Sequence, residues 1–260
     1  FLLAGIVNQK SEDELSNKEI KSSGAYVTNS NIFDKLVLSE SIRFDKYDLF
    51  DDATTGKIGA KYNLTQDFSL SGNYGTAYKT PALYQLYTPY YGNENLKPET
   101  TKSKDISINY KHIKATYFYN KITDLIGSGS NYEYTQVPGT SKIKGYEINY
   151  QDEVVPNLLV GMNYKNQSAK DADGNDLIKR IKQSVKLSFD YYGFPKLHLG
   201  SDIQYIGERK DTNFDTYPYM PVQTGKYTLF SAVANYDVSK TLKTYLKIDN
   251  LTDRLYQEVY

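Results

Sequence analysis

The most distinctive chemistry in the sequence is aromatic, and it lies in the stretch from Tyr74 to Thr101. This stretch holds six tyrosines together with three prolines and two glycines. Proline removes backbone donors and fixes the chain, so the stretch is predicted to be a long loop rather than an interior strand. Loops of this length are usually functional. Because tyrosine offers a large rigid surface with a polar end, four residues are predicted to contact a flat ligand: Tyr84, Tyr87, Tyr90 and Tyr91. The alternative is that they only pack the loop against its support.

Two further aromatic groups carry the same prediction. One consists of Phe214, Tyr217 and Tyr219, within a second predicted loop at residues 209–224. The other is the pair Tyr132 and Tyr134. Each could extend an aromatic ligand surface, or each could simply pack its own loop.

An acidic hexapeptide at residues 171–176, DADGND, is the one candidate metal site. Asp171, Asp173 and Asp176 could supply oxygen ligands to calcium on a tight glycine turn. The spacing departs from an EF-hand, because Gly174 comes two positions early and no glutamate closes the loop. A solvated turn is therefore the competing interpretation, and no other cofactor is predicted.

Other chemistry is excluded or unsupported by the composition. The chain has no cysteine, so it holds neither disulfides nor thiolate sites. Acidic and basic residues balance at 31 each, which gives no basic excess to bind nucleic acid. His112 and His198 stand far apart in the sequence, without the neighbours expected of a metal or catalytic site. No motif of an enzyme is present.

Most of the remaining sequence consists of short runs in which apolar and polar residues alternate. Ile106, Ile108 and Tyr110 share one side of such a run, with polar residues between them. A period of two is that of a strand with one apolar face. The sequence therefore predicts an all-β antiparallel fold of about fourteen strands, near residues 1–8, 24–33, 36–47, 54–64, 68–78, 105–111, 113–125, 131–137, 140–151, 157–168, 181–191, 196–208, 225–236 and 241–250. Residues 9–22 are predicted to form a charged loop.

The connections between these strands alternate in length. Short turns are predicted near residues 65–67, 111–112, 156–157, 193–195 and 239–240, and long loops at 79–101, 169–177 and 209–224. Short turns at one rim and long loops at the other are typical of an outer-membrane β-barrel. No apolar run approaches the roughly 18 residues that a membrane helix needs. Because the chain opens at Phe1 within a predicted strand, we expect it to be a fragment of a larger barrel.

Several motifs resemble those of one family, the TonB-dependent outer-membrane receptors. The tyrosine loop carries two of them, at residues 74–87 and 92–99, and three others follow as YNKITDLI (119–126), IKGYEINY (143–150) and IDNLTDRLY (248–256). Within the family, the stretches YYGNENLKPE, LIKRIKQSVKLSFDYY (177–192) and YIGER (205–209) resemble the receptors for vitamin B12.

This resemblance implies that residues 1–260 form part of a barrel of 22 strands around a plugged lumen. The plug, the first strands and the last strand would lie outside the chain. The implied function is binding of a scarce large nutrient at extracellular loops, first cobalamin and then a ferric siderophore or haem. The implied partners are this ligand, outer-membrane lipid and, through the plug, TonB.

Two other classes remain open on the sequence alone. A passive porin or an adhesin could be built on the same barrel without a plug. An outer-membrane enzyme would need a cluster of histidine, serine and acidic residues, which two isolated histidines do not supply.

Overall fold

A computed structural model describes residues 1–129, 132–213, 215–216 and 220–259. In these residues the chain forms seventeen strands and one short helix, α1 (Leu83–Tyr87). The strands are β1 (Leu2–Asp13), β2 (Lys18–Phe33), β3 (Leu36–Tyr47), β4 (Ala53–Asn63), β5 (Phe68–Lys79), β6 (Glu99–Tyr110), β7 (Ile113–Thr123), β8 (Ile126–Ser128), β9 (Tyr134–Gln136), β10 (Thr140–Val155), β11 (Leu158–Lys170), β12 (Gln183–Phe194), β13 (Leu197–Ile206), β14 (Arg209–Asn213), β15 (Met220–Thr224), β16 (Tyr227–Asp237) and β17 (Lys243–Ile248). Among the described residues no helix has the length and apolar character needed to cross a membrane.

Strand order follows the order of the chain. Thirteen strands are hydrogen-bonded in the sequence β1-β2-β3-β4-β5-β6-β7-β10-β11-β12-β13-β16-β17. The hairpins β8–β9 and β14–β15 form separate two-stranded sheets. Every strand pair whose register is defined is antiparallel, so the predicted all-β antiparallel class is confirmed.

The chain divides into two compact units. The first comprises Phe1–Ser107, Phe118–Lys144 and Lys170–Asn175, and it contains β1 to β5, α1 and the hairpin β8–β9. The second comprises Ile108–Tyr117, Gly145–Ala169 and Asp176–Tyr260, and it contains β12, β13, the hairpin β14–β15, β16 and β17.

Strand β3 shows why these sequences form strands with two different faces. Ile42 and Phe44 are exposed apolar side chains on one face, at 45% and 54% of full exposure. Between and beside them, Arg43 and Asp45 point to the other face, where Arg43 Nη2 lies 2.6 Å from Asp45 Oδ1. These apolar side chains are therefore not buried in a protein core. An exposed apolar face is expected of a β-barrel whose outer surface contacts lipid.

The tightest connections share one backbone feature. Asp34, Lys111, Asn157 and Lys196 each have a positive φ, between 49° and 66°. A left-handed residue lets a short turn match the twist of the two strands that it joins. Longer connections alternate with these turns, as at residues 48–52, 80–98 and 207–226.

One prediction about loops is wrong, and two others are incomplete. Residues 9–22 are mostly strand, because β1 continues to Asp13 and β2 begins at Lys18. The charged side chains of these residues form ion pairs on the strands: Lys10 contacts Glu12 and Glu19, and Lys21 also contacts Glu19. The long connections predicted at 79–101 and 209–224 are present, but the first contains α1 and the second contains the hairpin β14–β15. In both cases the local hydrogen bonds satisfy backbone groups that a structureless loop would leave unpaired.

Candidate ligand-binding site

A small apolar core holds the long tyrosine loop in place within the first unit. Leu83 and Leu86 of α1 are almost fully buried, together with Leu96 further along the loop and Ile20 of β2. The spacing of Leu83 and Leu86 puts both side chains on one side of a helical turn. The sequence therefore forms a helix here because one face can be buried, and Tyr84, between the two leucines, is exposed.

Polar contacts join this loop to the hairpin β8–β9. The backbone N–H of Tyr134 donates to the carbonyl of Tyr91 at 2.8 Å. The side-chain amide of Asn93 donates to the carbonyl of Tyr134 at 2.9 Å, and that of Gln136 to the carbonyl of Lys97 at 2.7 Å. Asn93 and Gln136 were missed in the sequence, because nothing near either residue reveals a partner about forty positions away. The two segments form one supported surface.

A buried carboxylate anchors the base of the hairpin. Glu99 is 8% exposed, and its Oε1 lies 3.0 Å from Lys79 Nζ. The same oxygen accepts a hydrogen bond from the backbone N–H of Ile126 at 3.3 Å. A buried charge needs such partners to offset its lost hydration. Glu99 thereby ties the start of β8 to the end of β5 and the start of β6.

The turn that follows Tyr90 and Tyr91 depends on Gly92. Its N–H donates to the carbonyl of Thr88 at 2.9 Å. A Cβ at this position would lie 2.6 Å from the carbonyl oxygen of Leu86, closer than any ordinary contact. Tyr90, two residues before Gly92, has a φ of +70°, in the left-handed region that non-glycine residues adopt mainly in turns.

Five tyrosines form the surface that we call the tyrosine platform: Tyr84, Tyr90 and Tyr91, which are exposed, and Tyr132 and Tyr134, which are half-buried. The ring centroids of Tyr91 and Tyr132 are 5.8 Å apart, those of Tyr84 and Tyr134 are 6.1 Å apart, and those of Tyr90 and Tyr91 are 6.5 Å apart. All three pairs meet edge to face, the geometry that aromatic quadrupoles favour. Tyr90 is the most exposed, at 95%. The three exposed tyrosines thus present aromatic surface to solvent.

The structure separates the four tyrosines predicted for this loop. Tyr84, Tyr90 and Tyr91 are exposed on the platform, whereas Tyr87 is half-buried against the apolar core, as Tyr134 of the hairpin also is. Lys18 Nζ lies 5.0 Å from the ring centroid of Tyr87. Tyr87 therefore fits the packing alternative better than ligand contact.

One platform hydroxyl has a shifted acidity. Burial, followed by the neighbouring Tyr84, raises the pKa of the Tyr134 hydroxyl above its ordinary value. Both causes disfavour the phenolate. Tyr134 is accordingly a neutral hydrogen-bonding group over a wide pH range.

The second predicted aromatic group, Phe214, Tyr217 and Tyr219, lies outside the described residues. The strands that flank it are described, and a charged cluster supports them. Asp211 on β14 is almost completely buried, with Lys179 Nζ 3.9 Å from its Oδ1. Asp176 Oδ2 lies 3.1 Å from both Lys182 and Lys210. These contacts position the hairpin β14–β15 relative to the segment before β12.

The carboxylates of the predicted calcium site do not converge. Asp171 accepts hydrogen bonds from the backbone and the side-chain amide of Asn175, at 2.8 and 3.1 Å. The carboxylate of Asp176 forms ion pairs with Lys182 and Lys210, and Asp173 is exposed. Within the described ranges, no group of three or more histidine or acidic side chains is arranged to hold a metal ion. These contacts favour the solvated turn, and calcium binding stays a prediction.

Both histidines have acidic partners that the sequence did not reveal. His198 Nε2 lies 2.7 Å from Asp190 Oδ1, and His112 Nδ1 lies 3.3 Å from Asp152 Oδ1. Asp190 lies on β12, the neighbour of the strand β13 that carries His198, whereas His112 lies in the turn between β6 and β7 and Asp152 lies on β10. Only the pairing of strands brings each histidine to its partner. Tyr192 stacks on the ring of His198, with centroids 4.4 Å apart.

A family model decides the classification. Residues 4–251 match the model described as TonB dependent receptor-like, beta-barrel. The chain belongs to the TonB-dependent receptor family. Membership confirms the predicted family and the predicted barrel wall, and it places the protein in the outer membrane. It also sets this receptor apart from enzymes, as the absence of enzyme motifs predicted.

Among curated relatives, the receptor is similar to the vitamin B12 transporter BtuB of Vibrio cholerae serotype O1. The two are 30% identical over 269 residues, which cover 99% of this chain and 43% of the relative. The chain thus spans less than half the length of the curated relatives that it matches.

Solved structures confirm the fold of this TonB-dependent receptor. A mutant of the ferric enterobactin receptor PfeA from Pseudomonas aeruginosa aligns with a TM-score of 0.79 and 21% identity, over 96% of this chain and 45% of that one. The ferripyoverdine receptor of the outer membrane of the same species, bound to ferripyoverdine, aligns with a TM-score of 0.74 and 19% identity, over 92% and 36%.

Proposed function

We propose that the full-length receptor takes up cobalamin across the outer membrane. The observation that carries this proposal is the tyrosine platform, an exposed aromatic surface on two loops that are bonded together. Aromatic faces suit a large macrocycle, because they bury much area at a low cost in side-chain entropy. The 30% identity to a vitamin B12 transporter supports the same ligand.

The charge around the platform favours a neutral ligand over an anionic one. The two segments that carry it, residues 80–98 and 124–139, contain Glu94, Asp124 and Glu133 but only one basic residue, Lys97. A ferric catecholate complex is a polyanion, and an acidic surround would repel it. Cobalamin has no such excess of negative charge. This comparison ranks cobalamin ahead of a ferric siderophore.

Energy for import would come from TonB through a plug inside the barrel. The present chain contributes the wall and the loops that capture the ligand. No covalent step is involved, since the ligand is bound, moved and released unchanged. Binding at the loops and coupling through the plug are therefore separable activities.

The decisive test is equilibrium binding of labelled cyanocobalamin to outer-membrane vesicles that contain the full-length receptor. We expect saturable binding that unlabelled cyanocobalamin displaces and that ferric enterobactin and haem leave unchanged. Vesicles without the receptor serve as the control. Saturable binding of a ferric chelate or haem, with none of cobalamin, would overturn the proposed ligand.

A further inference from the structure

Five lysines form a basic cluster near the ends of three neighbouring strands of the large sheet. They are Lys102 and Lys104 of β6, Lys121 of β7, and Lys142 and Lys144 of β10, and all five are exposed. The strands β6, β7 and β10 follow one another in the hydrogen-bonded order of the sheet. All five residues belong to the first unit, and we call them the lysine patch.

One tyrosine ring joins the part of the patch on β6 to the part on β7. Nζ of Lys104 lies 5.2 Å from the ring centroid of Tyr119, and Nζ of Lys121 lies 6.0 Å from the same centroid. Side chains two residues apart share a face of a strand, so Lys102 lies on the same face as Lys104. These three cations therefore lie on one side of the sheet.

A contact between two threonines extends the same face to β10. Oγ1 of Thr123, at the end of β7, lies 3.3 Å from Oγ1 of Thr140, at the start of β10. Thr123 shares its face with Lys121, which is two residues earlier. Thr140 shares its face with Lys142 and Lys144 for the same reason. All five lysines therefore lie on the same face.

This face is the outer one. Ile106, the next residue of β6 on the face of Lys104, is an apolar side chain at 58% exposure. Asp105 lies on the opposite face, where its Oδ1 accepts a hydrogen bond of 2.9 Å from the side-chain amide of Asn73 on β5. Outer-membrane barrels turn apolar residues outward and polar residues inward. The lysines thus project from the surface that contacts the membrane.

The patch lies near the extracellular ends of its strands. Lys121 is two residues before the end of β7, and Lys142 is two residues after the start of β10. The connection at residues 124–139 joins these two ends, and long connections of such barrels are extracellular. A lysine near the end of a membrane span extends its charged group toward the lipid headgroups. The patch therefore lies at the headgroup level of the outer leaflet.

In the described part of the chain, the lysine patch has no ion-pair partner. Other lysines of the first unit have one, as Lys10 does in Glu19 and Lys79 does in Glu99. The whole chain carries 31 acidic and 31 basic residues, so the excess of positive charge is local. Like charges on adjacent strands are unfavourable. Anionic groups from outside the chain would relieve this repulsion.

We propose that the lysine patch binds the phosphorylated headgroup of a glycolipid in the outer leaflet. Lysine is a common ligand of phosphate, and basic residues beside a membrane span attract anionic lipid. Strands lie about 4.8 Å apart, so a patch across three strands is about 10 Å wide and can hold more than one phosphate. The exposed side chain of Ile106 beside the patch offers an apolar surface to acyl chains.

Titration of the purified full-length receptor with diphosphoryl lipid A tests this proposal, with bound lipid counted by native mass spectrometry. The test variant combines Lys121→Gln with Lys142→Gln and so removes two neighbouring charges of the patch. The matched control combines Lys196→Gln with Lys240→Gln, which removes two exposed lysines from short turns. A third variant combines Lys121→Arg with Lys142→Arg and keeps both charges.

We expect the paired glutamine variant of the patch to raise the Kd for lipid A about 25-fold, because each lysine near an anionic lipid surface is worth about fivefold. The control variant and the paired arginine variant should bind as the unchanged receptor does. Lipid A without its phosphates should bind weakly, and added salt should weaken binding of the diphosphoryl form. Heat-modifiable gel mobility checks that every variant is folded.

An unchanged Kd in the paired glutamine variant of the patch would overturn the proposal, and so would an equal loss in the control. Equal binding of lipid A without phosphates would show that the acyl chains alone are recognised. Displacement of lipid A by inorganic phosphate would instead assign the patch to a free anion, and equal binding of phosphatidylglycerol would overturn the assignment to a glycolipid. None of these outcomes depends on which nutrient the receptor binds.

Discussion

Tyr91 and Tyr132 come from separate loops and meet edge to face, with ring centroids 5.8 Å apart and ring planes at 66°. Their contact makes one surface out of two segments, each of which would present only isolated rings. Hydrogen bonds from Asn93 and Gln136 hold the same two segments together beneath it. The platform is therefore a property of the pair of loops.

Removing a platform ring should weaken ligand binding with little effect on folding. Tyr90→Ala and Tyr91→Ala are each expected to raise the Kd for cyanocobalamin by about threefold to tenfold, the value of one aromatic contact. Tyr236→Ala on β16 is the control, because Tyr236 is exposed to 46% and lies outside the platform. Binding to vesicles measures all three. An equal loss in Tyr236→Ala would remove the special role assigned to the platform.

Gly92→Ala should loosen the loop without unfolding the barrel. The added methyl would meet the carbonyl oxygen of Leu86 at 2.6 Å and the backbone of Thr88 at 2.8 Å, so the turn must shift at a cost of about 1–3 kcal/mol. We expect faster proteolytic cleavage within residues 80–98. Gly225→Ala is the matched control, since a Cβ there meets nothing within 4 Å. The same cleavage rate in both variants would contradict the strained turn.

High pH should loosen the attachment of the hairpin β8–β9. The pKa of Tyr134 is raised by burial and by Tyr84, so the folded state favours the neutral phenol. This contribution to stability is complete below the ordinary tyrosine pKa of about 10, and it is lost as pH rises through the higher folded value. The tyrosinate absorbance of the receptor minus that of Tyr134→Phe isolates this group. A midpoint at or below the ordinary value would refute the shift.

Asp176→Asn should destabilise the support of the hairpin β14–β15. The carboxylate is 11% exposed and contacts Lys182 and Lys210, so its loss leaves two cations facing each other. Because both lysines are about half exposed, we expect a local loss of about 1–2 kcal/mol rather than the full value for a buried pair.

Hydrogen exchange of residues 176–182 and 209–213 measures this loss. Asp173→Asn is the control, since Asp173 is exposed. Added salt should narrow the difference between the variants by screening the lysines. Equal protection in both variants would show that Asp176 has no such role. The same two variants, titrated with calcium, test the predicted calcium site.

Alternation and turn residues were enough to predict the strands that form the wall. The strand predicted at 36–47 has the same limits in the structure, and those predicted at 54–64 and 68–78 differ by one residue. These signals are local, because each strand carries its own apolar face. The predictions failed where charged side chains pair across strands, as in Lys10 with Glu19. There, polar residues extend a strand that composition alone assigned to a loop.

The sequence by itself determined the family, the antiparallel wall and the location of the tyrosine-rich loop. Only the tertiary structure decided that Tyr87 packs inward and that Tyr132 and Tyr134 join the platform. The reason is physical. The alternation of apolar and polar residues with a period of two can be read from consecutive residues. Contacts between rings, buried ion pairs and cross-strand pairs depend instead on strand register and on loops that fold against each other.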